Sequence, residues 1–241
     1  MKDRRKLTII ACIAASLAVL QVNAQIPAQL EHFDIKDVSL SESAFKKAQD
    51  MDIRYLLSLD PDRLLAPYMK EAGLEPKAEN YTNWENTGLD GHVGGHYLSA
   101  LSYMYASTGN QEIKERLDYY ISELKRCVDT EGYLSGVPHG RQIWKEISEG
   151  NIRAASFGLN DRWVPLYNIH KIYAGLRDAY LITGNKDALK MFLDLTEWMY
   201  NLTEGLTEEQ LQDMLRSEQG GLNEVFADAA ALSGDSRYLD L

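Results

Sequence analysis

Two histidines four residues apart, His92 and His96, follow an acidic residue, Asp90, in the run GLDGHVGGHYLSALSYMYASTGN, residues 88–110. At that spacing two imidazoles share one face of a helix and could grip a metal or a polar ligand. His92 has no Glu beside it, so the HExxH arrangement of zinc hydrolases is missing. Gly91, Gly94 and Gly95 also weaken the helix there. Contact with a polar substrate is the sharper reading, and a satisfied core or loop histidine is the plainer one. Two later segments carry comparable polar groups: Asn168 and His170, preceded by Arg162 and Trp163, and then Asn223 and Glu224.

Glu85, in NWEN, and Glu224 are the carboxylates best suited to acid/base work. The plain alternatives are a solvated loop charge for Glu85 and a first-turn carboxylate favoured by the helix dipole for Glu224. His139, in GVPHGR, is either a rim contact or an ordinary loop residue. Trp84, Trp144 and Trp163 could offer flat platforms. Fixed donors and acceptors beside an aromatic platform are what sugar hydroxyls require. Cys127 reads as a small buried residue rather than a nucleophile, and with Cys12 in the expected leader it has no disulfide partner. Asn80-Tyr81-Thr82 and Asn201-Leu202-Thr203 fit glycosylation sequons, a weak signal in any chain.

These residues need elements to position them, and a repeat supplies them. HYLSALSYMYASTGNQEIKERLDYYISEL, HKIYAGLRDAYLITGNKDALKMFLDLTEWM and GLNEVFADAAALSGDSRYLDL each read as an amphipathic helix, a Thr/Ser-Gly-Asn/Asp turn and a second helix start. The glycine provides a left-handed residue after the first helix, and the Asn or Asp caps the next. Before the repeat, a helix is expected over 42–58, capped by Ser41 or Ser43 and broken at Asp60-Pro61-Asp62. A short helix follows it. HFDIKDVSL alternates like a short strand or edge segment.

The bulk numbers agree. Of 241 residues 45% are hydrophobic and prolines are rare, which favours an all-α class with one sizeable core. The formal charge is −11 and no Lys/Arg-rich patch appears, which excludes nucleic acid as a partner and suits a neutral one. Residues 1–24 have the cationic, apolar and small-residue segments of a secretory signal peptide, too short to span a membrane comfortably. The expected mature chain is therefore 25–241, exported to the periplasm or beyond, with no stable membrane insertion. Its loss of four cations and Asp3 takes the formal charge to about −14.

YLLSLDPDRLLAPYMKEAGL (55–74), NWENTGLDGHVGGHYLSA (83–100), WVPLYNIHKIYAGLRDAYLITGN (163–185) and GGLNEVFADAAALSGD (220–235) together resemble the bacterial β-L-arabinofuranosidase-like glycoside hydrolases of families 127 and 146, in the same order. The resemblance implies an (α/α)6 barrel, of which this chain reads as the first half, truncated in its third hairpin. It implies a retaining mechanism with a cysteine nucleophile in a zinc site and a glutamate acid/base. Those residues are expected beyond Leu241, so no catalytic residue, metal ligand or cofactor is carried over to this chain. His170 matches a substrate-contacting block, and His92 and His96 sit in a block typical of the family. The expected partner is an L-arabinose-containing oligosaccharide or glycan. Two rival readings are a non-catalytic carbohydrate-binding helical-repeat protein and an (α/α)6 hydrolase of unsaturated uronides.

Overall fold

The three Thr/Ser-Gly-Asn/Asp turns form as the sequence demands. The computed structural model describes residues 33–218 and 221–241, so the expected signal peptide lies outside the described residues. Gly109, Gly184 and Gly234 take the left-handed conformation, and their N–H groups bond back to the Tyr105, Tyr180 and Ala230 carbonyls. Asn110 and Asn185 then cap the following helices with their side chains, and Asp235 caps a 3-10 turn at Ser236–Leu239. A left-handed glycine closes one helix and an Asx oxygen opens the next, which reverses the chain in two residues.

The first hairpin pairs α3 (His92–Thr108) with α4 (Gln111–Cys127), and the second pairs α6 (Pro165–Thr183) with α7 (Lys186–Thr203). The third begins with α9 (Leu222–Ser233). Helices α3, α6 and α9 lie side by side as an inner layer; α4 and α7 back them as an outer one. Before the hairpins come α1 (Ala44–Ser58), capped by Ser43, and α2 (Pro61–Glu71), capped by Asp60. Between them sit α5 (Gly140–Ser148) and α8 (Glu208–Leu215), the latter with a Thr207/Gln210 capping box. Ile35–Leu241 forms one compact unit with one core.

That core runs between the layers. Leu98 and Leu101 of α3, Ile169, Tyr173 and Leu176 of α6, and Val225 and Phe226 of α9 meet Ile113, Leu117, Phe192 and Leu195 from the outer helices. The α3–α6 seam is tighter than side chains permit. A Cβ on Gly95 would lie 2.2 Å from the Lys171 carbonyl, and one on Gly175 would lie 2.6 Å from the Gly95 carbonyl oxygen. Glycine is needed at both positions so that the two backbones can approach.

Two expectations are corrected. Among the described residues, 33–40 make no strand; Ile35–Asp37 is an exposed 3-10 turn, with no described strand beside it to take its backbone bonds. Trp144 is no platform: it is buried in α5 and packs edge-to-face on Trp198 at 5.8 Å. Cys127 is buried as expected, and burial pushes its thiol up to about 12. What the sequence reading did not anticipate is a small antiparallel sheet of three two-residue strands, β1 (Ala154–Ala155), β2 (Gly158–Leu159) and β3 (Arg162–Trp163), just before α6.

Candidate functional site

The polar groups gather where α3, α6 and α9 begin. Glu85, in a 3-10 turn at Asn83–Asn86, reaches under the start of α3. Its Oε2 accepts from the Gly91 N–H at 3.0 Å and its Oε1 from the Val93 N–H at 3.0 Å. His92 Nδ1 lies 2.6 Å from Glu85 Oε1 and 2.8 Å from the Leu89 carbonyl, so Nδ1 carries a proton. Burial resists a charge on His92, but the bond to Glu85, the Leu89 carbonyl and the Glu85 charge outweigh it and raise its pKa. Glu85 is 3% exposed, which corrects its reading as a solvated loop charge. The carboxylate caps a helix, because the first N–H groups of α3 have no intrahelical acceptor.

The start of α6 is tied down from a distance. Val164 is left-handed, Pro165 opens the helix, and Glu218 Oε1 accepts from the Leu166 N–H at 2.6 Å. Asn168, buried, donates to the Asp90 carbonyl at 2.8 Å and so links α6 to α3. The Asp90 carboxylate accepts from the Gly88 N–H and from Asn80 Nδ2, and burial raises its pKa. Asn80 is itself buried in this loop, so its sequon is not displayed. Trp163, on β3, stands beside Gly88, where a Cβ would lie 3.7 Å away. Thus Asp90 and Asn168 fasten the loops, while Trp163 stands half-exposed at their edge.

An exposed aromatic and imidazole face results. Trp84 and Tyr167 flank His92, with ring centroids 6.3 and 6.2 Å away, and His96 meets His92 edge-on at 6.3 Å. Lys171 Nζ sits 4.3 Å from the centre of the Tyr167 ring and 3.2 Å from His170 Nδ1. Desolvation, then the Lys171 charge, lowers the His170 pKa to about 4; the same two causes lower that of His96. Both rings are therefore neutral at pH 7 and can each donate and accept.

Glu224 makes contacts of a different kind from those of Glu85. It is exposed at the start of α9, and Arg177 Nη1 donates to it at 2.5 Å. That bond, with the Arg177 charge, lowers its pKa. Arg177 also binds Asp228 at 2.9 Å and Asp178 at 3.1 Å, and Asp178 takes the Ser99 hydroxyl at 2.7 Å. His139 is apart from the face: it lines a small cleft of about 200 Å³ with Pro67, Lys70, Glu71 and Asp90.

Sequence reasoning missed Tyr167, Lys171 and Arg177. The signal was present: Tyr167 and Lys171 are one helical turn apart on the side of α6 that carries His170. Arg177-Asp178 interrupts an otherwise apolar stretch, and charges there require partners. Among the described residues, no group of three or more His, Cys, Asp or Glu is placed to share a metal ion. Cys127, the one cysteine among the described residues, is buried, and its thiol does not fit a zinc–cysteine centre. The face can bind a neutral polyhydroxylated ligand: rings to stack on, neutral imidazoles to exchange hydrogen bonds and an ammonium to donate one.

No curated protein matches the chain. Among solved structures it is similar to Ara127N-Se, a GH127 β-L-arabinofuranosidase from Geobacillus stearothermophilus T6, with a TM-score of 0.59 at 14% identity. That match covers 84% of this chain and 31% of the other, and it shows the fold: helical hairpins of the same arrangement. The family model for the β-L-arabinofuranosidase GH127 catalytic domain matches residues 37–241, which is nearly all of the described chain. The chain belongs to the GH127 β-L-arabinofuranosidase catalytic-domain family.

Proposed function

We propose that this chain supplies the sugar-binding face of a glycoside hydrolase that removes terminal β-L-arabinofuranosyl residues from plant glycans. One observation carries the reading: Trp84, Tyr167 and His96 lie exposed around the buried His92, with the half-buried His170 alongside, at the starts of α3 and α6 in a chain of this family. Stacking rings beside neutral imidazoles suit an uncharged sugar, in keeping with the acidic chain as a whole. The described residues bind and orient; the carboxylates at the face cap a helix or neutralise Arg177, and the Cys127 thiol is buried and protonated. We also propose export by the leader at 1–24, since an extracellular or periplasmic enzyme meets such glycans.

The test is binding of methyl β-L-arabinofuranoside, followed by NMR of the histidine and tryptophan rings. Shifts at Trp84, His96 and His170 are expected, with His170→Gln weakening binding about tenfold, the value of one good hydrogen bond. No shift at these rings at saturating sugar overturns the reading. Turnover of an aryl β-L-arabinofuranoside by this chain is expected to be nil. A second reading, a carbohydrate-binding protein without chemistry, is favoured by the engagement of both Glu85 oxygens with backbone N–H groups. Measurable turnover would exclude it and would place chemistry among residues 1–241.

A further inference from the structure

The two ring nitrogens of His170 stand in different circumstances. Nδ1 is 3.2 Å from the Lys171 amine. An ammonium can only donate, so Nδ1 accepts, and a neutral imidazole that accepts at Nδ1 carries its proton on Nε2. Nε2 is buried and makes no hydrogen bond among the described residues. It points at the start of α9, where a Cβ on Gly221 would lie 2.7 Å away. Lys171 is held in place from its other side by the Tyr167 ring, 4.3 Å from Nζ.

We propose that Lys171 is a positioning residue: its ammonium holds His170 in the Nε2–H tautomer, making this imidazole a one-way donor to a sugar oxygen that reaches Nε2 when the start of α9 shifts off it. The proposal rests on the sugar-site reading above. The charged and titratable groups facing His170 are Lys171 and Arg177 from α6, His96 from α3 and Glu224 from α9. Arg177 is spent on Asp178, Glu224 and Asp228, which leaves Lys171 as the cation that touches the ring. A donor buried without an acceptor is costly, and a sugar ring or hydroxyl oxygen relieves that cost. Tautomer control of this kind makes His170 selective for acceptor atoms, where a freely tautomerising histidine would take either kind.

Long-range ¹H–¹⁵N spectra of the whole chain, labelled at histidine, test this, with His170→Gln identifying the His170 signals. At neutral pH a protonated Nε2 and a bare Nδ1 are expected, with titration near 4. Lys171→Met should mix the tautomers and move the titration up toward ordinary imidazole, whereas Lys171→Arg, which keeps a donor, should preserve the native pattern. A wild-type His170 protonated on Nδ1 overturns the proposal, as does a Lys171→Met spectrum identical to wild type. Addition of methyl β-L-arabinofuranoside separates the two claims. A shift at Nε2 that Lys171→Met abolishes supports both. The expected tautomer with no shift on sugar overturns the sugar-site reading, and with it the sugar oxygen assigned to Nε2, while the role of Lys171 in fixing the tautomer stands.

Discussion

The two ends of the inner helices are built on opposite plans. At the turn end all three helices close alike, on a left-handed glycine and an Asn or Asp that opens the next element. At the other end each helix starts differently. α3 has Glu85 beneath a left-handed Gly91; α6 has a left-handed Val164, Pro165 and the remote Glu218; α9 has Gly221 and sends its first-turn Glu224 to Arg177. Repetition marks the end whose task is to reverse the chain. Divergence marks the end that carries the histidines. The same backbone plan therefore tolerates varied loops where a ligand is read, as expected of a rigid scaffold that carries its recognition in its connections.

The largest test of this contrast lies between the two ends, at the seam that holds both. Gly95→Ala places a methyl against the Lys171 backbone and is expected to lower stability on the order of 3 kcal/mol, read as the shift in urea midpoint. Next comes the divergent end. Glu85→Gln keeps the shape of the α3 cap but removes its charge, and about 2 kcal/mol of destabilisation is expected, together with a lower pKa for His92. The repeating end should respond less: Asn110→Ala or Asn185→Ala is expected to cost about 1 kcal/mol each, and equally. Unequal costs there would break the claim that the turns are equivalent.

pH dependence divides the two histidines. The folded pKa of His170 is depressed from 6.5 to about 4. The unfolded chain therefore binds the proton more readily, and stability present above pH 6.5 is lost as pH falls toward 4. His92 acts in the opposite sense: its pKa is raised, so its contribution is complete below the ordinary imidazole value and lost as pH rises through the raised one. His170→Gln should flatten the acid limb of a stability–pH curve, and His92→Gln the limb just above it. Identical curves for the two variants would erase the distinction.

How much could be read in advance follows the same division. The turn end was legible because each signal is local: Gly109-Asn110, Gly184-Asn185 and Gly234-Asp235 fix their own geometry within two residues. The all-helical plan and the buried Cys127 followed from pattern and composition. The divergent end was legible only as a set of candidate residues. That Glu218 would cap α6, or that Asn168 would bind the Asp90 carbonyl 78 residues away, depends on how the hairpins dock. Trp144 looked like Trp84 in the sequence, yet one lies buried on Trp198 and the other is exposed beside His92. Only packing separates them.

The glycine seam has a mechanical consequence. Where α3 and α6 touch backbone to backbone, no side chain can rotate to let them slide, so the two helices must move as one plate. The α6–α9 boundary is made of side chains instead: Tyr173 on Phe226 at 5.6 Å, and Arg177 bridging to Glu224 and Asp228. Such contacts can shear by changing rotamers. His96 and His170 thus ride on a stiff plate with a fixed spacing, and any breathing of the face is concentrated along the edge of α9, beside the Nε2 of His170.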